Sequence, residues 1–228
     1  IIVASGARYR RLEIENLEQF EGAGVYYAAT DLEVRACAPQ PVVVVGGGNS
    51  AGQAAIYLAQ NGSRVTLAIR RDDLTATMST YLIERIDADP NIELRPCTEV
   101  RALAGDGHVG SVVLEHNRSG ETETIDCAGV FCFIGAEPAT AWLGGCLELD
   151  DKGFVLTDRS LPDDPRVRDR FAGRVPLPFE TSVPGVFAVG DVRNGSLKRV
   201  AAAVGEGSSA VRSVHDYLAT SARLGSAT

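Results

Sequence analysis

The chain has 228 residues, enough for one large domain or two modest ones, and its 45% hydrophobic content supplies a real core. With 30 acidic against 22 basic residues the net charge is −8, which argues against a general nucleic-acid or anionic-membrane surface. No apolar run reaches bilayer-spanning length, and no charged leader followed by an apolar stretch opens the chain, so neither a membrane partner nor a signal peptide is expected.

The five cysteines, Cys37, Cys97, Cys127, Cys132 and Cys146, form no Cys-x-x-Cys and stand at no metal-ligand spacing with the histidines. They read as small buried hydrophobes in a reducing compartment, which predicts a cytoplasmic protein without a metal site. His108, His116 and His215 are dispersed, with no obvious carboxylate or nucleophile partner, so no catalytic role is assigned to them.

In chain order, Ile1-Ile2-Val3-Ala4 reads as a buried strand turning at Ser5-Gly6-Ala7. Residues 8–24 read as charged surface loop, Val25-Tyr26-Tyr27 as a short strand and Ala38–Pro41 as a proline-marked linker. Val42–Val45 is a strand ending in three glycines. Ala51, Ala54, Ala55 and Leu58 then share one helical face, Asn61-Gly62 stops the helix, and a strand follows over Arg64–Ile69. Asp72–Thr80 is a polar loop with Ser79 as the expected N-cap, followed by a helix through Leu82, Ile83 and Ile86 and a short strand at Ile92–Leu94. Glu99–Ala104, Val109–Asn117 and Thr122–Ala128 form an antiparallel meander separated by Gly105-Asp106-Gly107 and Arg118-Ser119-Gly120. Val130–Ile134, apolar throughout, is a strand buried on both faces, ending at Gly135. One helical turn is expected over Ala139–Leu143, loop over 159–178, and a buried strand over Val186–Val189. A last helix carries Val200, Val204, Gly207, Val211, Val214 and Leu218 on one face, with Gly205 and Gly207 kept for close backbone packing.

The strand–glycine–helix–strand unit contains Gly46-x-Gly48-x-x-Ala51, the dinucleotide fingerprint with alanine in the third position. Gly46 permits the turn, Gly48 lets backbone approach a pyrophosphate, and Ala51 lets helix and strand pack closely. The helix N-terminus at Asn49 and Ser50 offers unpaired N–H groups and the positive dipole end. The second strand ends at Arg70-Arg71, where an NAD site would carry an acidic residue. Two arginines suit a 2′-phosphate and favour NADPH; the bland alternative pairs them with Asp72 and Asp73. Residues 41 to about 157 therefore form a Rossmann-like unit of class α/β with a three-stranded antiparallel meander. Gly190-Asp191 closes a second strand and could meet a ribityl hydroxyl, although alone it reads as a capping aspartate.

Three segments, Ile1–Gly6 with Leu12, VVVVGGGNSA through IRR, and ETSVPGVFAVGDVRNGSLKRVAAAVGEG (Glu180–Gly207), together resemble the low-molecular-weight thioredoxin reductase family of flavoproteins. The resemblance implies a two-segment FAD-binding domain flanking an inserted NADPH-binding domain. The expected boundaries are 1–40, 41–157 and 158–228, with pivots near Cys37–Pro41 and Thr157–Ser160. It implies that Gly48, Asn49, Ser50, Arg70 and Arg71 hold NADPH, that Gly190 and Asp191 contact FAD, and that Lys198, Arg199 and Val200 approach the flavin. Gly135 is counted among the cofactor-binding residues, as are Gly46 and Ala51 of the turn.

Two departures from that family bear on activity. Its Cys-Ala-Thr-Cys pair should follow Val25-Tyr26-Tyr27, but Ala28-Ala29-Thr30-Asp31 stands there, so no dithiol can relay electrons. Its amino-terminal FAD fingerprint is absent, so the chain is expected to be part of a longer flavoprotein. A smaller departure is Thr75, where relatives often place another arginine. The expected function is an NADPH-dependent, FAD-containing oxidoreductase passing electrons to a small-molecule or protein acceptor, with a homodimer as a further expectation. A nucleotide-binding module without turnover is the alternative, and a thioredoxin-disulfide reductase using Cys37 or a partner's thiol comes third.

Overall fold

The computed structural model describes residues 1–225; residues 226–228, the end of the expected third segment, lie outside them. The elements begin with β1 (Ile2–Val3), β2 (Ala7–Tyr9), α1 (Leu17–Phe20), β3 (Val25–Tyr26), α2 (Asp31–Cys37), β4 (Val42–Val45), α3 (Asn49–Gln60) and β5 (Val65–Ala68). They continue with α4 (Thr80–Ala88), β6 (Ile92–Arg95), β7 (Thr98–Ala104), β8 (Ser111–His116), β9 (Thr122–Asp126) and β10 (Gly129–Cys132). Last come β11 (Ala136–Pro138), α5 (Pro165–Arg168), β12 (Phe187–Ala188) and α6 (Val200–Gly225). The described helices include none long and apolar enough to cross a membrane.

Two compact units result: Tyr9–Gly135, and Ile1–Arg8 together with the chain from Ala136 onward. In the first, five parallel strands run in the order β3-β10-β4-β5-β6. Val42 and Val44 face a core shared with Ala51, Ala55, Leu58 and Phe131, while Val43 and Val45 face a second core with Val100, Val112 and Leu114. A strand buried on both faces has to be apolar at every position, which is why four consecutive valines occur here. Helices α2, α3 and α4 contribute to the first core, α1 and the antiparallel meander β7-β8-β9 to the second. In the other unit β1 pairs in parallel with β12, and Val3, Leu143, Leu147, Val155, Ala188 and Val192 form the core.

The units divide at 8/9 and 135/136, not at 40/41 and 157/158. Residues 9–40 belong with the nucleotide-type unit because β3 pairs with β10 and because Leu17 and Phe20 pack into the meander core. Residues 136–157 leave it because Leu143, Leu147 and Val155 pack with Val3 and Ala188. The expected pivot at Cys37–Pro41 is therefore internal to one unit, with Cys37 fully buried.

Residues 8–24 are likewise not plain loop: α1 buries Leu17 and Phe20, and the Asn16 amide donates to the Leu103 carbonyl at 2.6 Å. Residues 159–178 contain α5, whose N-cap Asp164 accepts from the Arg166 amide, and a short 3-10 turn that buries Phe171. The apolar stripe expected to bury α6 faces outward instead, with Val200 84% and Val204 66% exposed, while Ala210 and Ser213 are buried. The contacts that orient α6 are small, polar and aromatic, the Tyr217 ring standing edge-on to Phe187 with centroids 6.4 Å apart. A side chain on Gly190 would come within 3.4 Å of the Ala203 methyl, and Glu206 accepts from the Gly190 amide at 2.7 Å. A Cβ added to Gly205 or Gly207 would meet nothing within 4 Å, so neither glycine serves close packing among the described residues.

Candidate nucleotide-binding site

The glycine turn lies where β4 leaves the sheet, between β10 and β5. Strands after β4 add on one side and β10 on the other, so this is the switch point at which open α/β sheets receive ligands. Gly46 has φ 136°, and a Cβ there would stand 2.4 Å from the Phe133 carbonyl oxygen. Only glycine fits. Gly48 caps α3 without any side-chain hydrogen bond, and a Cβ there would meet nothing within 4 Å. The backbone at Gly48 is thus open to a close approach, next to the unpaired first amides of α3 at Asn49 and Ser50. Ala51 is fully buried against the turn.

The loop after β5 fixes this turn. Thr77 Oγ1 donates to the Gly47 carbonyl at 2.7 Å, the Ser79 amide donates to Asn49 Oδ1 at 2.8 Å, and Met78 packs where Gly52 leaves room. Ser79, expected as a helix cap, makes no cap bond through its side chain; its backbone holds Asn49. Thr77 and Met78 carry no signal in the sequence, because their partners lie some 30 positions away.

Arg70 and Arg71 follow β5 directly and are exposed. Among the described residues no close ion pair joins them to the next two aspartates; the Asp73 carboxyl is held down chiefly by Thr75, with the Arg71 charge a smaller contribution. Asp73 accepts from the Thr75 hydroxyl at 2.7 Å and amide at 2.9 Å, while the Arg118 guanidinium is on Asp72. Among the described residues, neither Arg70 nor Arg71 enters an ion pair. Gly135, with φ 102°, closes the chain segment after β10, and its carbonyl accepts from the Arg10 amide at 3.0 Å.

The remaining expected residues lie in the other unit. Gly190 has φ 71° and opens a 3-10 turn after β12. The Asp191 Oδ1 is buried and, among the described residues, has no hydrogen-bond partner. Glu206 is held by Arg193 at 2.6 Å and by the Gly190 amide. Burial pushes its carboxyl up, but these donors leave it below the ordinary range. Lys198 lies over the Phe154 ring at 4.1 Å, and Arg199 and Val200 are exposed.

No thiol pair stands at the start of α2. Thr30 caps that helix, its amide donating to Glu33 at 2.8 Å, and Asp31 accepts from the Tyr57 hydroxyl. This Thr-x-x-Glu capping box has a local sequence signature that the comparison with Cys-Ala-Thr-Cys obscures. Cys37, at the far end of α2, is fully buried near the Ala128 carbonyl, and burial pushes its thiol up. All five cysteines are free.

Sheet order, glycine turn and helix start together define a Rossmann-type dinucleotide-binding unit, flanked on both sides in sequence by a second unit. The chain matches the pyridine nucleotide-disulphide oxidoreductase family over residues 1–207 and belongs to that family. It is 34% identical over 220 residues to the thioredoxin reductase of Treponema pallidum, covering 96% of this chain and 64% of that protein. It is 32% identical over 219 residues to the thioredoxin reductase of Streptomyces clavuligerus, covering 96% of this chain and 62% of that protein. Lactococcus lactis thioredoxin reductase superposes with a TM-score of 0.73 at 28% identity, over 96% of this chain and 66% of that one. The chain thus spans less than two thirds of the length of the curated relatives it matches.

Proposed function

We propose that the chain handles NADPH and FAD in an oxidoreductase that passes electrons from NADPH through flavin to a small-molecule or protein acceptor, without a dithiol of its own. The observation that carries this reading is the pair Arg70-Arg71, exposed and, among the described residues, outside any close ion pair at the end of β5 in the unit that holds the open Gly48. Two planar, permanently charged forks in that position fit a 2′-phosphate. The unpaired first amides of α3 fit a pyrophosphate. In the other unit the partnerless Asp191 Oδ1 fits a group that brings a hydroxyl donor, as a ribityl chain does.

When bound, flavin supplies the hydride and electron chemistry. The chain's own residues bind and orient. Arg70 and Arg71 anchor the adenosine end, the Gly46–Ala51 turn holds the pyrophosphate, and Gly190 and Asp191 hold the flavin side chain. Asp31 and the Thr30 cap occupy the start of α2, and Cys37 is buried, so neither offers an exposed thiolate to a disulfide substrate. Five free thiols suit a reducing compartment and support a cytoplasmic setting.

The test is anaerobic titration of the purified protein with NADPH, followed by flavin absorbance. Bleaching of bound flavin is expected, and Cys37→Ser should bleach to the same extent. Flavin that stays yellow under NADPH would overturn the proposal, and NADPH binding without any flavin retention would favour a nucleotide-binding module.

A further inference from the structure

The segment that follows Arg70-Arg71 is held from outside the fingerprint. Asn117 Nδ2 donates to the Arg70 carbonyl at 2.9 Å, and the Cys97 amide donates to the Arg71 carbonyl at 2.9 Å. The Cys97 thiol donates to Asp72 Oδ1 at 3.0 Å, and the Arg118 guanidinium is ion-paired with that same oxygen. Thiol and guanidinium together hold the Asp72 carboxyl below its ordinary range. Asn117 and Arg118 lie in the turn between β8 and β9, far in sequence from β5.

From these contacts we infer that Arg118 is a specificity-determining residue for the nucleotide, acting through Asp72: by engaging this carboxylate it keeps Arg70 and Arg71 available for the 2′-phosphate. The inference rests on the NADPH reading above. An aspartate directly after two arginines is both their nearest competing partner and a like charge facing the incoming phosphate. Thr75 occupies the second aspartate, Asp73, with its hydroxyl and amide. Arg118, together with the Cys97 thiol, occupies the first. It is a positioning residue, distinct from the two arginines that would meet the phosphate.

The Asp72–Arg118 pair is exposed on both sides, 58% and 65%, so its removal leaves the fold intact. The experiment is calorimetric titration of the purified protein with NADPH and with NADH, on wild type, Arg118→Gln, Asp72→Asn/Arg118→Gln and Arg70→Ala/Arg71→Ala, with melting curves recorded for each. Arg118→Gln should lower the NADPH-over-NADH preference roughly two- to fivefold, the scale of one exposed charge pair. NADH affinity should stay unchanged. The double variant, in which residue 72 is neutral, should regain the wild-type preference.

If Arg118→Gln leaves the preference intact while Arg70→Ala/Arg71→Ala removes it, the inference fails and the NADPH reading stands. If the double variant stays as impaired as Arg118→Gln, Arg118 meets the phosphate itself and the indirect role is overturned. If Arg70→Ala/Arg71→Ala changes nothing in the preference, both fall.

Discussion

The hydroxyl of Thr77 donates to the carbonyl of Gly47 at 2.7 Å, tying the loop after β5 to the glycine turn after β4. The bond orients the turn that the pyrophosphate would approach, and it has no part in reading the 2′-phosphate. Thr77→Val should therefore weaken NADPH and NADH alike, by about 0.5–1.5 kcal/mol, the net worth of one neutral hydrogen bond. Parallel titrations of the two nucleotides check this. A loss confined to NADPH would place Thr77 at the adenosine phosphate instead.

Gly46 and Gly48 should respond differently to the same substitution. Gly46→Ala forces a side chain into a positive-φ position and against the Phe133 carbonyl, so the melting temperature should fall, with a cost of about 1–3 kcal/mol or more. Gly48→Ala has ordinary φ and open space, so the melting temperature should hold. Its methyl would then stand where a nucleotide phosphate comes close, and binding should be lost. Differential scanning fluorimetry with and without NADPH separates the two outcomes.

Replacing both Arg70 and Arg71 by alanine should reduce NADPH affinity by about 1.5–3 kcal/mol for each charged hydrogen bond removed, and NADH affinity far less. The structure makes this a clean test, because among the described residues neither arginine enters an ion pair whose loss would disturb the fold. Equal losses for the two nucleotides would mean that the arginines do not read the phosphate.

Glu180 is fully buried and accepts from Arg174 at 2.6 and 2.7 Å and from the Leu177 and Gly185 amides at 2.8 Å each. Burial pushes its carboxyl upward, but the Arg174 fork and the amides outweigh it and hold it below the ordinary 4.5. A depressed carboxylate stabilises the fold above its unfolded-state value, and that contribution is lost as pH falls through the folded-state value. Glu180→Gln should thus cost about 3–5 kcal/mol at neutral pH, as expected for breaking a buried pair. The gap between variant and wild type should narrow below pH 4.5. Chemical denaturation across pH checks both the size and the sign.

Much of this molecule was legible in the sequence because its signals are local. Four valines, three glycines and the alanine face of α3 specify a strand, turn and helix over consecutive residues, and the meander strands were bounded by glycine turns that the structure retains. The nucleotide fingerprint is of this kind. Each glycine's task is set by backbone geometry within a few positions.

What the sequence could not determine depended on partners far along the chain. Periodicity identified the apolar stripe of α6 but not its direction, which is set by Ala203 against Gly190, Glu206 on the Gly190 amide and Tyr217 edge-on to Phe187. The unit boundaries followed from strand pairing between β3 and β10, about a hundred residues apart, rather than from the prolines that read as a linker. The same holds at the site. Arg70-Arg71 could be read from the sequence as a phosphate anchor or as partners of Asp72 and Asp73. Only the tertiary structure decided that Arg118 and Thr75 take those carboxylates, because a hydrogen bond or ion pair depends on distance in space, and residue 118 reaches Asp72 only once the β8–β9 turn has folded over the end of β5.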